Sequence, residues 1–196
     1  MGSLRVAEAV GALVVGHATF TAIGIANATL AKPPTRLPAS ADDAACKQCS
    51  REAQLVKVVK KMYGGGGIDA AAISDDVTFT DPAAACRGRY ETTEAFRALA
   101  AVCRPEHIEE PCPVKDSTTK GAVQFDLHQR YFRGSMLLPS GLAVKSTLVV
   151  HTSAIDGRIT SLEERWNGAP LLQFSAFKFV RRVNGVVSSV LTPLLK

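Results

Sequence analysis

Ile155-Asp156-Gly157-Arg158-Ile159-Thr160-Ser161-Leu162-Glu163-Glu164-Arg165-Trp166-Asn167-Gly168-Ala169-Pro170-Leu171 is the stretch that decides the fold. Asp156-Gly157 is a tight-turn dipeptide. The residues after it alternate, with Thr160, Leu162, Glu164 and Trp166 on one side and Ile159, Ser161, Glu163 and Arg165 on the other. That period belongs to a strand with one covered face. The strand ends on the only tryptophan, followed by the breakers Asn167-Gly168-Ala169-Pro170. A large aromatic beside a carboxylate at a strand end sets an apolar wall and a titratable group at one mouth, so a pocket is expected there.

Outward from this stretch, four strands are predicted near 107–114, 121–133, 143–154 and 159–166. Their short connections suit an antiparallel meander. Before them, Leu55, Val58, Val59 and Met62 recur at helical spacing, with Lys57, Lys60 and Lys61 opposite, and a helix is predicted over 50–63. Gly64 to Gly67 stop it; no Gly-Lys-Ser/Thr follows, so this is a break and not a phosphate cradle. A short strand at 76–81 ends at Pro82, and a second helix is predicted over 90–103, with Phe96, Leu99 and Val102 as its stripe. Helices first and strands after is an α+β order.

This order, with Asp81-Pro82 closing the first strand and Leu162-Glu163-Glu164-Arg165-Trp166-Asn167-Gly168 closing the last, resembles the nuclear-transport-factor-2-like superfamily and its SnoaL-like group. The resemblance covers roughly 46–171. It implies an α+β cone: a curved antiparallel sheet with the N-terminal helices packed on its concave face, here followed by a C-terminal amphipathic helix. It also implies a pocket in which a carboxylate or histidine serves as base and a tyrosine or aspartate as hydrogen-bond donor.

Alternation tells which side chains face that pocket, because the concave face carries the apolar set. In the strand through 123–131 those are Val123, Phe125, Leu127, Gln129 and Tyr131. With Phe79 and Asp81 from the first strand, the candidate site is Asp81, Tyr131 and Glu164 as catalytic groups and Phe79, Gln129 and Trp166 as ligand-binding groups. A carboxylate against an apolar wall has a raised pKa, which suits proton transfer. The structural alternative has Asp81 capping the loop before the second helix and Glu164 paired with Arg130 or Arg165. His128 and His151 fall on the outward parity, against a mechanism that needs histidines inside. No cofactor and no metal are implied: Cys46-Lys47-Gln48-Cys49 has no second pair of ligands at zinc spacing.

At the N-terminus, 6–31 is rich in Ala, Val, Gly, Ile and Thr, with Glu8 and His17 as its titratable residues. Residues 1–31 read as a signal, transit or anchoring leader, or as a soluble helix. Residues 32–45, with Pro33, Pro34 and Pro38, read as a linker to the 46–171 domain. A membrane-associated, secretory or organellar setting is favoured over plain cytosol.

In 172–196, Leu172, Phe179, Val180, Val183, Val186, Val187, Val190 and Leu191 gather on one side of a helix, and Lys178, Arg181, Arg182, Asn184, Ser188 and Ser189 on the other. Such a helix either lies on a membrane surface through Lys178, Arg181 and Arg182 or packs over the cone mouth with its basic face in water. The charge is concentrated here: residues 171–196 carry four cations and no acid, which leaves +1 of the net +5 for the rest of the chain. That distribution argues against a nucleic-acid partner. The expected partners are a small hydrophobic molecule in the cone and, through the convex sheet, a second copy in a homodimer.

Overall fold

A computed structural model describes residues 26, 49–114, 122–131, 141–169 and 171–192 of the chain. The leader, the linker and Cys46 lie outside the described residues, apart from Ala26. Helix α1 (Cys49–Lys61) buries Leu55 and Val59, and one turn on, Met62 and Tyr63, while Lys57, Lys60 and Lys61 stay in water. The glycines unwind it through Met62–Gly66, where Gly65 takes φ 82°, a value few other residues adopt cheaply. Asp69 then caps a turn at Ala70–Ala72 by accepting from the Ala71 N–H. Strand β1 is Ile73–Thr80, β2 is Ala85–Arg87, and helix α2 (Gly88–Ala98) follows, widening into a last turn at Leu99–Cys103. The meander is β3 (Glu106–Val114), β4 (Ala122–Tyr131), β5 (Leu142–Thr152) and β6 (Ile159–Trp166), and helix α3 (Ser175–Leu191) ends the described fold.

The α+β cone with a C-terminal helix expected from the sequence is the architecture observed: one open sheet in the order β2-β1-β6-β5-β4-β3, with α1 and α2 on one face. One pairing departs from the antiparallel sheet. β1 runs parallel to β6, with Phe79 beside Leu162 and Thr80 beside Glu163. A chain that crosses over through α2 and returns as a four-strand meander can place its last strand beside its first in this sense. The three-residue β2, antiparallel to β1, is too short for alternation to announce it.

The inward parity holds along β4, along β5 and from Leu162 on in β6; at the start of β6 it breaks, where a register shift buries Ile159, read as outward, and leaves Thr160 half-buried. Phe125, Leu127, Gln129 and Tyr131 are buried, as are Leu148, Val150, Leu162, Glu164 and Trp166, while Asp126, His128 and Arg130 are half-buried on the other face. His128 pairs there with Glu109 across β3 and β4.

Helix α3 lies on α2 and β2 and turns most of its polar side toward them, although Val180 of the apolar side is buried too. Arg181 is buried, with its Nη2 donating to the Leu172 carbonyl at 3.2 Å. Arg182 makes a bidentate pair with Glu91 (2.5 and 2.7 Å) and also donates to the Ala85 carbonyl, and the Asn184 amide donates to Ala83 O. Of the three cations read from the sequence as a basic face, only Lys178 is exposed. The polar side meets the protein because what it meets is the backbone around β2 and the Glu91 carboxylate, which need donors.

Candidate functional site

Five elements converge on a small, largely enclosed cavity of about 50 Å³. The turn after α1 supplies Tyr63, the end of β1 supplies Phe79 and Asp81, α2 supplies Phe96 and the turn beyond it Leu99, β4 supplies Tyr131, and β6 supplies Glu164 and Trp166. The lining combines aromatic and aliphatic side chains with two carboxyls and two phenols.

Glu164 is 2% exposed and both its oxygens are engaged. Tyr63 Oη donates to Oε2 at 2.7 Å and Trp166 Nε1 to Oε1 at 3.1 Å. Ser146 on β5 stands next to the carboxyl without a well-directed hydrogen bond. Burial, and then the charge of Asp81, push the Glu164 carboxyl up to about 7 against the pull of Ser146, Tyr63 and Trp166. Among the described residues no arginine pairs with it: Arg165 turns to Glu163 at 2.6 Å. The structural alternative for Glu164, pairing with arginine, is therefore not what holds this carboxyl.

For Asp81 the capping expectation is met and more is added. Its Oδ1 accepts the backbone N–H groups of Ala83 (2.7 Å) and Ala84, closing the loop at Pro82. Oδ2 takes no hydrogen bond among the described residues. The residue as a whole is half-buried, yet its carboxyl is desolvated and rises to about 6, opposed by the Ala84 and Ala83 N–H groups and by Arg181. Two buried carboxyls on one small cavity resist carrying two charges. Burial first, and Glu164 next, hold Tyr63 and Tyr131 well above the ordinary phenol range, so both remain neutral donors.

Of the six residues read from the sequence, Asp81, Tyr131, Glu164, Phe79 and Trp166 line the cavity. Tyr131 stacks on Trp166 (5.9 Å between centroids, 18° between planes) and its hydroxyl donates a hydrogen bond to Gln129 Oε1. Gln129 is fully buried but is not on the cavity wall. Tyr63 was not among the six. Its signal was present: it follows Val59 by four residues on the buried side of α1, just before the glycine stop. Arg181, read as solvent-facing, is the cation nearest in effect to Asp81.

The architecture can now be set beside solved structures. In fold, the chain resembles NTF2-like and SnoaL-like proteins. A proposed SnoaL-like polyketide cyclase from Shewanella putrefaciens matches over 68% of this chain and 90% of its own, at 12% identity and TM-score 0.47. A protein with a ketosteroid isomerase-like fold from Catenulispora acidiphila, crystallised with trimethylamine, matches over 57% and 83%, at 17% identity and TM-score 0.44. An NTF2-like protein of unknown function from Cytophaga hutchinsonii matches over 60% and 89%, at 11% identity and TM-score 0.42. No family model and no curated protein matches the sequence. Among the described residues no three His, Cys, Asp or Glu side chains group as metal ligands, and no helix is long and apolar enough to cross a membrane.

The two raised carboxyls make stability depend on pH. Both native pKa values lie above those of an unfolded chain, so the native state binds more protons. The stabilisation is full below about pH 4 and is lost as pH rises through about 6 and then about 7. Part of the Glu164 shift is the charge on Asp81, so the two contributions do not simply add. The free energy of unfolding is expected to be larger at pH 5 than at pH 8 by roughly 2–4 kcal/mol, and Asp81→Asn should narrow the gap. Urea titrations at the two pH values measure it; a flat or rising profile contradicts it.

Proposed function

We propose that the cavity binds a small, mainly apolar molecule and that Asp81 exchanges a proton with its polar end. The observation that supports this most is the asymmetry of the two carboxyls. Glu164 has both oxygens occupied by Tyr63 and Trp166 and acts as a fixed post. Asp81 is anchored by one oxygen only, which leaves the other available at the cavity wall. A pocket of about 50 Å³ is well below the roughly 300–1,000 Å³ of a typical metabolite site, so the ligand has few heavy atoms.

A second reading, lyase or isomerase chemistry with Asp81 as base, draws on the same carboxyl, because a pKa of about 6 suits a base that works near neutrality. Native mass spectrometry of protein purified from its source is the way to find the ligand. Asp81→Asn then separates the readings. For a binder, affinity changes within a few-fold and loses its titration near pH 6; for an enzyme, turnover falls by about 10²–10⁴. Unchanged affinity with an unchanged pH profile, and no turnover to lose, would remove Asp81 from both.

A further inference from the structure

Helix α3 buries Val180 and half-buries Val183 but turns the rest of its apolar side away from the protein. Phe179 and Val190 are each 62% exposed, Val186 and Val187 nearly 40%, and Phe174 at the helix start 72%. The orientation is locked. Arg182 grips Glu91, Asn184 reaches Ala83 O, and Gly185 sits so close to β2 that a Cβ there would overlap the Ala85 carbonyl oxygen. The helix cannot roll to bury its valines. With about 200 Å² for a whole phenylalanine and rather less for valine, the five residues expose roughly 500 Å² of mostly apolar surface, the size of the largest patch on an ordinary monomer, which is often functional.

We propose that this face docks on an anionic lipid surface. Charge singles out that occupant. From Leu171 to Lys196 the chain has no acid, and with Arg181 and Arg182 turned inward, the outward charge of α3 is Lys178 beside Phe179. An apolar stripe edged by lysine is the pattern of a helix lying in a bilayer interface. Tyr90 of α2, 63% exposed with its hydroxyl donating to Ser189 O, flanks the far end of the stripe, as aromatics do at a headgroup layer. A second copy fits less well on charge: it would set Lys178 against a helix that carries no acid. The contact differs from the one read off the sequence, because valines and phenylalanines make it and the arginines hold the helix to its own domain.

The test is flotation of the full chain with vesicles of phosphatidylcholine, with and without phosphatidylserine. Binding is expected on the anionic vesicles, falling at least tenfold in Phe179→Ser/Val190→Ser and several-fold in Lys178→Glu or at high salt. Both variants change water-facing positions, so their melting should match the parent. Three results overturn the proposal: no flotation of the parent chain, equal flotation of parent and variants, or a dimer in solution that Phe179→Ser/Val190→Ser dissociates.

Discussion

Replacing Glu164 by alanine should lower the free energy of unfolding by roughly 2–4 kcal/mol at neutral pH. Two buried donors, Tyr63 Oη and Trp166 Nε1, lose their acceptor, and each orphaned group costs about 1–3 kcal/mol. The vacated space adds a cavity cost. Against this stands the relief of removing a carboxyl whose charged form burial disfavours, which holds the total below the plain sum. Glu164→Gln separates the parts. It keeps the volume and one acceptor oxygen, but its amide faces one donor with another donor. Tyr63 can rotate its hydroxyl to accept; the indole N–H cannot. The glutamine variant should therefore lose only about 1 kcal/mol and should lose the Glu164 share of the pH dependence. Chemical denaturation of the three proteins at pH 5 and pH 8 decides it. An alanine variant as stable as the parent would mean that Glu164 is not the acceptor these donors need.

The second large effect is expected from Gly185→Ala. In a helix with free surroundings this change helps, by about 1 kcal/mol. Here the new methyl would stand on the Ala85 carbonyl oxygen, 2.8 Å from its carbon and 3.2 Å from Cys86 Sγ. The first two are backbone atoms of a paired strand and cannot swing aside. The helix must lift, and with it go the Arg182–Glu91 pair and the bonds from Asn184 to Ala83 O, from Tyr90 to Ser189 O and from Thr192 to Glu94 O. The sign should reverse to a loss of about 1–3 kcal/mol, and α3 amides should exchange at least tenfold faster while those of β4 and β5 keep their protection. Lifting α3 also withdraws Arg181, so Asp81 should become harder to ionise. A stabilised variant with α3 still protected would show that the contact relaxes.

These two sites also show what was legible in the residues. β4, β5 and β6 could be assigned face by face because one parity is the more apolar in each, and the placement of Glu164 and Trp166 followed from it. Asp81 was found because it closes β1 before a proline. Pairing across the sheet is a different matter: nothing within Ile73–Thr80 says that its neighbour is β6 and runs the same way, since that is decided by the crossover through α2. α3 failed for a third reason. A helical wheel shows that a helix has two faces but not which one its own domain will take, and the polar demand of β2 and Glu91 settled that. Gly185 was the one local hint, a residue without a side chain on a helix face that had to come close.

The parallel seam between the first and sixth strands has a kinetic consequence. Phe79 and Leu162 are neighbours in space but more than eighty residues apart along the chain, so β1 leaves the ribosome with one edge waiting. Loop closure over that span is a slow step, and the unpaired edge is the kind on which nascent chains stick to one another. Chains arrested before Trp166 should be held by chaperones or aggregate, and their release should come as β6 emerges and slides into place.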